Sequence, residues 1–295
     1  MAVPSKYQPT WVNLLTALTN LWSTNDRPTL LLPGIMGSEL CDGRGSTLWA
    51  AVYTLVDGLN SLRFQGFENS GGINLHNNLI KPTRELTLPS ILPGPPDVAY
   101  TELRKQRTTV LYPYDWRDSL DVEAGHLLAF LELARARGLV GPHRRINIVT
   151  HSMGSLLLMA ALGKSGGAID DILHTVTFVA PPFRGAVDII DILATGNSVL
   201  GHRLLDRWIN YTTFLLRCAR TFPGVFQLLL HDRAAFNNIA GIPAQEYPVV
   251  GMDDPLTSLL LRDWSTLDIT VRQEALRQAQ VCVCCERNVH VFLFV

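Results

Sequence analysis

Hydrophobic and polar positions alternate in blocks along the chain, and the blocks predict strands followed by helices. Several short runs are continuously apolar or β-branched and are closed by turn residues, which is typical of buried strands. These runs are TLLLPG (29–34), TTVLYPYDW (108–116), INIVT (146–150), HTVTFVAPP (174–182) and EYPVVG (246–251).

Between these runs, apolar residues recur every three or four positions, as on one face of a helix. The segment 120–138 follows Asp118 and Ser119, both good N-caps, and ends at Gly138, so we predict a helix there. Further helices are predicted over WVNLLTALTNLW (11–22), GSLLLMAALGKSGG (154–167) and ITVRQEALRQAQ (269–280).

Strands that alternate with helices indicate an α/β fold, with a mostly parallel sheet and helices on both faces. Two intervals depart from this pattern. Residues 41–96 are rich in glycine and proline and are interpreted as a lid or loop-rich insertion. Residues 186–245 read as helices without a strand, which predicts a helical cap. We otherwise expect residues 1–295 to form a single domain.

Composition and charge exclude several classes of protein. Apolar residues make up 47% of the chain and the formal net charge is −1, with no basic stripe that would indicate nucleic acid. No apolar run has the length of a membrane span and the N-terminus is a poor secretion signal, so we expect a cytoplasmic protein. A closed zinc site needs two spaced pairs of ligands, and the five cysteines provide no second pair, so no metal site is expected.

Ser152 lies in the pentapeptide Thr150-His151-Ser152-Met153-Gly154, between a predicted strand and a predicted helix. This context is typical of the nucleophile elbow Gly-x-Ser-x-Gly, with threonine in place of the first glycine. Such an elbow lifts the hydroxyl above the sheet, at a helix N-terminus whose amides favour negative charge. The alternative is a serine that only caps the helix.

The segment LLPGIMGSEL (31–40) includes the end of the first predicted strand and the Pro-Gly turn that follows it. The turn leaves the amides of Ile35 and Met36 able to face a pocket. In sheets of this kind the oxyanion hole takes one amide from such a loop and one from the residue after the nucleophile. We therefore predict Ile35 and Met153 as donors. The alternative is an ordinary turn in which glycine supplies a positive φ angle.

Taken together, the motifs resemble the lecithin:cholesterol acyltransferase-like branch of the α/β-hydrolases. The motif PYDWR (113–117) is far more specific than the serine elbow, and APPFRGA (180–186) and RTFPGVFQLL (220–229) are typical of this branch. The matching segments, in chain order, are LLPGIMGSEL (31–40), Leu48-Trp49, YPYDWR (112–117), VTHSMGS (149–155), APPFRGA (180–186) and RTFPGVFQLL (220–229).

The resemblance implies an α/β-hydrolase fold with a helical cap and lid. It implies acyl transfer from a lipid ester to water, as in a lipase or phospholipase, or to an alcohol, without a cofactor. Peripheral membrane contact is an open alternative. Ser152 would be the nucleophile, with Ile35 and Met153 as oxyanion donors.

The resemblance also implies residues beside the pocket that are substrate-binding or structural. For Tyr114 and Trp116 the alternative is plain core packing. Asp115 and Arg117 are expected to fix the loop by hydrogen bonds and charge pairing and not to act in the chemistry. The candidates are Trp49, Tyr114, Asp115 and Trp116.

A serine nucleophile needs a base and an acid, which follow it in this fold in the order acid, then histidine. Asp254, after the predicted strand that ends at Gly251, and His290 keep this order. Asp253 and a helix-capping Asp-Asp-Pro turn are the alternatives for the acid. The Gly-Asp-Gly-Thr-Val-like stretch of the family is absent, and His290 lies in NVHVFLFV (288–295), which alternates like a strand.

These departures leave two other functions open. One is a degenerate relative that keeps the fold and binds lipid without catalysis. Truncation or an altered reading frame would then account for the unusual C-terminal stretch VCVCCERNVHVFLFV (281–295). The other is a generic carboxylesterase for small soluble esters.

Overall fold

The structure is a computed structural model. It describes residues 4–41, 45, 47–49, 81–85, 107–183, 185–186, 189, 222–228 and 292–294. Within these ranges the strands are β1 (Thr29–Leu32), β2 (Ser38–Cys41), β3 (Thr47–Trp49), β4 (Lys81–Glu85), β5 (Thr109–Leu111), β6 (Ile146–His151), β7 (Leu173–Val179) and β8 (Phe292–Phe294).

Five of these strands form a parallel sheet in the order β5-β1-β6-β7-β8. Non-consecutive neighbours require crossover connections, which are helical in such sheets. The mostly parallel α/β fold predicted from the sequence is therefore confirmed. The strand-like pattern of the C-terminal segment is confirmed for residues 292–294, since Phe292 pairs with Thr177 and Phe294 with Val179.

The other three strands form a small antiparallel sheet in the order β3-β2-β4. Strands β3 and β4 lie inside the interval 41–96, for which the sequence predicted loops. Runs of three to five residues are too short to show a reliable period, so the pattern missed them. The rest of this interval lies outside the described residues.

The long helices begin and end close to their predicted bounds. They are α1 (Gln8–Ser23), α2 (Leu120–Ala136) and α3 (Met153–Ser165), and a single turn, α4 (Pro223–Phe226), follows. The Ser119 side chain accepts a hydrogen bond from the Asp121 amide, as expected of an N-cap. Helix α3 ends at Gly166, whose left-handed backbone stops the helix.

The main core lies between one face of the parallel sheet and helices α1, α2 and α3. Because alternate residues of a strand share a face, Leu30 and Leu32 join this core while Leu31 packs with Leu111 on the opposite face. Any helix on that second face would belong to residues outside the described ranges. The same holds for the predicted strand 246–251, the predicted helix 269–280 and most of the predicted cap, 186–245.

Among the described helices, none combines the length and the apolar character that crossing a membrane requires.

Candidate active site at the carboxyl edge of the parallel sheet

Ser152 lies between β6 and α3, at the carboxyl end of the central strand of the sheet. Its backbone has φ +48° and ψ −122°, a conformation that non-glycine residues rarely adopt. The Ser152 amide donates to the Val179 carbonyl at 3.0 Å, which ties the turn to β7. The side chain makes no capping hydrogen bond to α3, so the helix-capping alternative is wrong.

The elbow requires close contact between the start of α3 and the end of β1. A Cβ on Gly154 would lie 2.4 Å from the Leu32 carbonyl oxygen and 2.5 Å from that of Pro33. Both obstacles are backbone atoms, which cannot move aside as a flexible side chain would. Glycine at this position therefore sets how closely the elbow approaches the segment after β1.

Thr150, which replaces the first glycine of the usual motif, is fully buried. Its hydroxyl lies 2.8 Å from the Ser155 hydroxyl, and either oxygen can be the donor. The Thr150 hydroxyl also donates to the Thr177 carbonyl at 3.4 Å. The threonine thus bonds across the elbow, from the end of β6 to the first turn of α3, which the sequence pattern did not reveal.

The segment after β1 forms a tight turn over residues 34–37, closed by the Gly37 amide donating to the Gly34 carbonyl at 3.0 Å. Met36, at the third position, has φ +63°. The positive φ angle therefore falls on a methionine, and the alternative in which glycine supplies it is wrong. A Cβ on Gly34 would lie 3.1 Å from Ser152 Cβ, so the turn packs directly against the elbow.

Backbone strain marks this edge of the sheet independently of any motif. Among the described residues, the non-glycine positive φ angles belong to Asn25, Met36, Ser152 and Ala180. The last three follow the carboxyl ends of β1, β6 and β7, respectively. Strained residues cluster at active sites, and open α/β sheets bind ligands at this edge.

The two predicted oxyanion donors both lie beside Ser152. Met153 is the first residue of α3, where the amide has no acceptor within the helix. Ile35 lies in the turn that packs against Ser152 and is half-buried. Their role as donors stays a prediction.

The predicted acid and base, Asp254 and His290, lie outside the described residues. Trp49 lies in β3, where it pairs with Leu40, and its side chain is outside the described part. His151 is half-buried, and a Cβ on Gly34 would lie 3.0 Å from its Nδ1 atom. Burial lowers the pKa of His151, which favours its neutral imidazole.

Tyr114, Asp115 and Trp116 are fully buried beneath the turn. The Tyr114 hydroxyl donates to the Pro33 carbonyl at 2.9 Å, and the Trp116 ring packs edge-on against Phe222 at 5.6 Å. These contacts favour the packing alternative for Tyr114 and Trp116. A direct contact of these residues with substrate stays a prediction.

Asp115 pairs with Arg117 through two hydrogen bonds, from Nε at 2.8 Å and from Nη2 at 2.7 Å. The pairing predicted from the sequence is thus confirmed.

The same loop belongs to a buried charge cluster, made of Lys6, Asp115, Arg117, Asp118 and Glu123. The Lys6 ammonium lies 2.9 Å from Asp115, 3.5 Å from Asp118 and 3.2 Å from Glu123. The sequence analysis missed this role of Lys6. A lone lysine before an apolar helix gives no sign of partners more than a hundred residues away.

The ionisation of the charge cluster is set by burial and by its internal pairing. Burial alone would raise the pKa of Asp115, but Arg117 and Lys6 hold it well below its usual range. For Asp118 burial dominates and raises the pKa from 3.8 to about 6; Glu123 and Asp115 add to this rise, and Lys6 opposes it. Near neutral pH, the ionised carboxylate of Asp118 therefore lowers the stability of the folded protein.

We expect the stability of Asp118→Asn, measured relative to the wild type, to increase as the pH rises. The folded protein holds the Asp118 proton between pH 3.8 and about 6, where the unfolded chain releases it, so wild-type stability declines across that window. The amide keeps an oxygen that can accept from the Ser119 amide, as Asp118 does at 2.7 Å. Between pH 4 and pH 7.5 the variant should gain on the order of 2 kcal/mol relative to the wild type.

Urea unfolding at a series of pH values measures this difference. Asp121→Asn is the matched control, since it removes a half-exposed carboxylate of the same helix start that pairs with Lys164. Equal pH dependence of the two variants would contradict the prediction.

Comparison with known proteins shows which family part of this site resembles. The family model described as lecithin:cholesterol acyltransferase matches residues 98–211, which include the PYDWR loop, the elbow and APPFRGA. None of the curated proteins compared with the chain matches it.

One similar solved structure is described as the crystal structure of the Tle4-Tli4 complex. It shares 16% identity and a TM-score of 0.42 over 69% of this chain and 54% of that chain. The chain thus spans about half the length of that protein, and so low a score carries no argument about function. The resemblance inferred from the motifs is confirmed by the family model, since residues 98–211 are similar to the lecithin:cholesterol acyltransferase family.

Proposed function

We propose that the protein is a serine-dependent acyl-transfer enzyme that acts on lipid esters. The single observation that carries this proposal is the geometry of Ser152. It occupies a strained turn at the carboxyl edge of the sheet, and its side chain does not cap the helix that follows. The family match over residues 98–211 supports an acyltransferase or lipase, and hence a lipidic acyl donor.

In the proposed mechanism the Ser152 hydroxyl oxygen attacks the ester carbonyl carbon as its proton passes to a base, for which His290, oriented by Asp254, is our candidate. The negative charge on the former carbonyl oxygen is held by the amides of Ile35 and Met153. The alcohol then leaves with the proton, and an acyl ester forms on Ser152. Attack by water or by an acceptor alcohol releases the acyl group and restores the hydroxyl.

The charge distribution of the site suits this mechanism. The members of the charge cluster are buried and pair with one another. The N-terminus of α3 then supplies the local field at Ser152, and a helix N-terminus favours an oxyanion.

Fluorophosphonate labelling tests the proposal, because these probes react covalently with activated serines. We expect one adduct per chain, on the tryptic peptide 146–164, with fragmentation placing it on Ser152 and not on Ser155. A decyl probe should react faster than an ethyl probe, since a lipid-binding site gains affinity with each buried methylene.

Other outcomes of the labelling would support the alternatives. A folded protein that resists labelling would support the non-catalytic relative. A faster reaction with the ethyl probe would favour a carboxylesterase for small esters.

A further inference from the structure

Three hydrogen bonds from the PYDWR loop hold the turn 34–37 at both of its ends. At its start, the Tyr114 hydroxyl donates to the Pro33 carbonyl at 2.9 Å. At its end, the Tyr114 amide donates to the Ser38 hydroxyl at 3.1 Å, and Trp116 Nε1 donates to the Ser38 carbonyl at 3.2 Å. We call these three bonds the turn clamp.

The turn clamp is rigid because all of its members are buried and anchored. Tyr114, Trp116 and Ser38 are fully buried, so water does not compete for the three bonds. Asp115, which stands between the two aromatic residues, is held by Arg117 and by Lys6 at 2.9 Å. The charge cluster therefore fixes the loop that in turn fixes residues 33–38.

The clamped turn sets the direction of the amide that we assign to the oxyanion. In a trans peptide the N–H points opposite to the C=O. The Gly34 carbonyl accepts from the Gly37 amide inside the turn, so the N–H of Ile35, in the same peptide unit, points away from the turn interior. The bond from Tyr114 fixes the Pro33 carbonyl and with it the peptide unit between Pro33 and Gly34. This unit directly precedes the one that carries the Ile35 amide, so it helps to set the plane of the turn.

We propose that Tyr114 is a positioning residue for acyl transfer. Its hydroxyl holds the Pro33 carbonyl so that the turn 34–37 stays against Ser152, with the Ile35 amide aimed at the developing oxyanion. This inference rests on the proposed function. Neither the elbow motif nor the turn sequence indicates it, because the bond joins residues 81 positions apart.

Tyr114→Phe tests the inference, because it removes one hydroxyl and keeps the ring. We expect the maximal rate of Ser152 phosphonylation to fall about tenfold, with the concentration for half-maximal rate changed less than about twofold, since the loss affects orientation and not affinity. Hydrogen exchange of the amides of residues 35–37 should rise about tenfold, because the turn is held less tightly.

Tyr112→Phe is the matched control. Tyr112 is equally buried and lies two residues earlier, but its hydroxyl makes no hydrogen bond to the turn within the described residues. The control should keep wild-type phosphonylation and exchange to within about twofold.

Equal behaviour of the two variants in both measurements overturns the inference. A wild-type protein that is not labelled on Ser152 overturns the proposed function and the catalytic part of the inference. In that case the exchange data still decide whether Tyr114 holds the turn. A rate loss in Tyr114→Phe without faster exchange overturns the positioning role, because the rate would then have changed without movement of the turn.

Discussion

Replacing Ser152 with alanine is expected to lower kcat for hydrolysis of a long-chain p-nitrophenyl ester by about 10⁴–10⁶-fold, as for other nucleophilic serines. The free energy of unfolding should stay within about 0.5 kcal/mol of wild type. The Ser152 side chain makes no capping bond, so its removal costs the helix nothing, and alanine meets the same strain at φ +48°. Ester hydrolysis assays and urea unfolding of the same samples measure both quantities.

Ser165→Ala is the matched control, at the other end of the same helix. The Ser165 hydroxyl donates to the Leu162 carbonyl at 2.8 Å, so its loss affects the local structure of α3 but not the elbow. This variant should keep wild-type kcat. If Ser152→Ala keeps more than about a tenth of the activity, another residue performs the attack and the proposed mechanism is wrong.

Replacing Lys6 with methionine is expected to lower the free energy of unfolding by about 3–5 kcal/mol, the usual cost of removing one partner of a buried ion pair. Three buried carboxylates would lose their shared ammonium. Arg117 would then carry the remaining positive charge among the members of the charge cluster. Methionine keeps a stem of similar length, so the loss reports charge and not packing. Urea unfolding at pH 7.5 measures the change.

This effect should shrink as the pH falls. The lowered pKa values of Asp115 and Glu123 mean that their stabilising contribution is present above the ordinary carboxyl pKa and is lost as the pH falls below it. Lys164→Met is the control, since Lys164 pairs with Asp121 at 2.8 Å on the surface and should cost less than about 1 kcal/mol. If the two lysine variants lose the same stability, the cluster does not depend on Lys6.

The elements that position Ser152 were largely predictable from local pattern. The apolar run before it, the glycine two residues after it and the glycines that end α3 gave the strand, the elbow and the helix. The predicted N-cap, Ser119, performs that role, with the Asp121 amide as its donor. Each of these features depends on residues a few positions apart, and propensity and periodicity describe that range.

The supports of the site were not predictable in the same way. Glu123 stands among apolar residues on the buried face of α2, and no period distinguishes it from an exposed glutamate of the same helix. The threonine at position 150 looked like a tight substitute for glycine until its hydroxyl was found beside that of Ser155. Such contacts join residues whose side chains meet only after the sheet and the helices have packed.

The sequence by itself determined the α/β architecture, the strand–turn–helix around Ser152 and the family resemblance, because these follow from the local order of apolar, turn and motif residues. Only the tertiary structure decided that Lys6 pairs with buried carboxylates more than a hundred positions away and that the Tyr114 hydroxyl bonds the turn beside Ser152. Burial and hydrogen-bond geometry depend on which surfaces meet, and local sequence does not encode that meeting in a form that pattern analysis can recover.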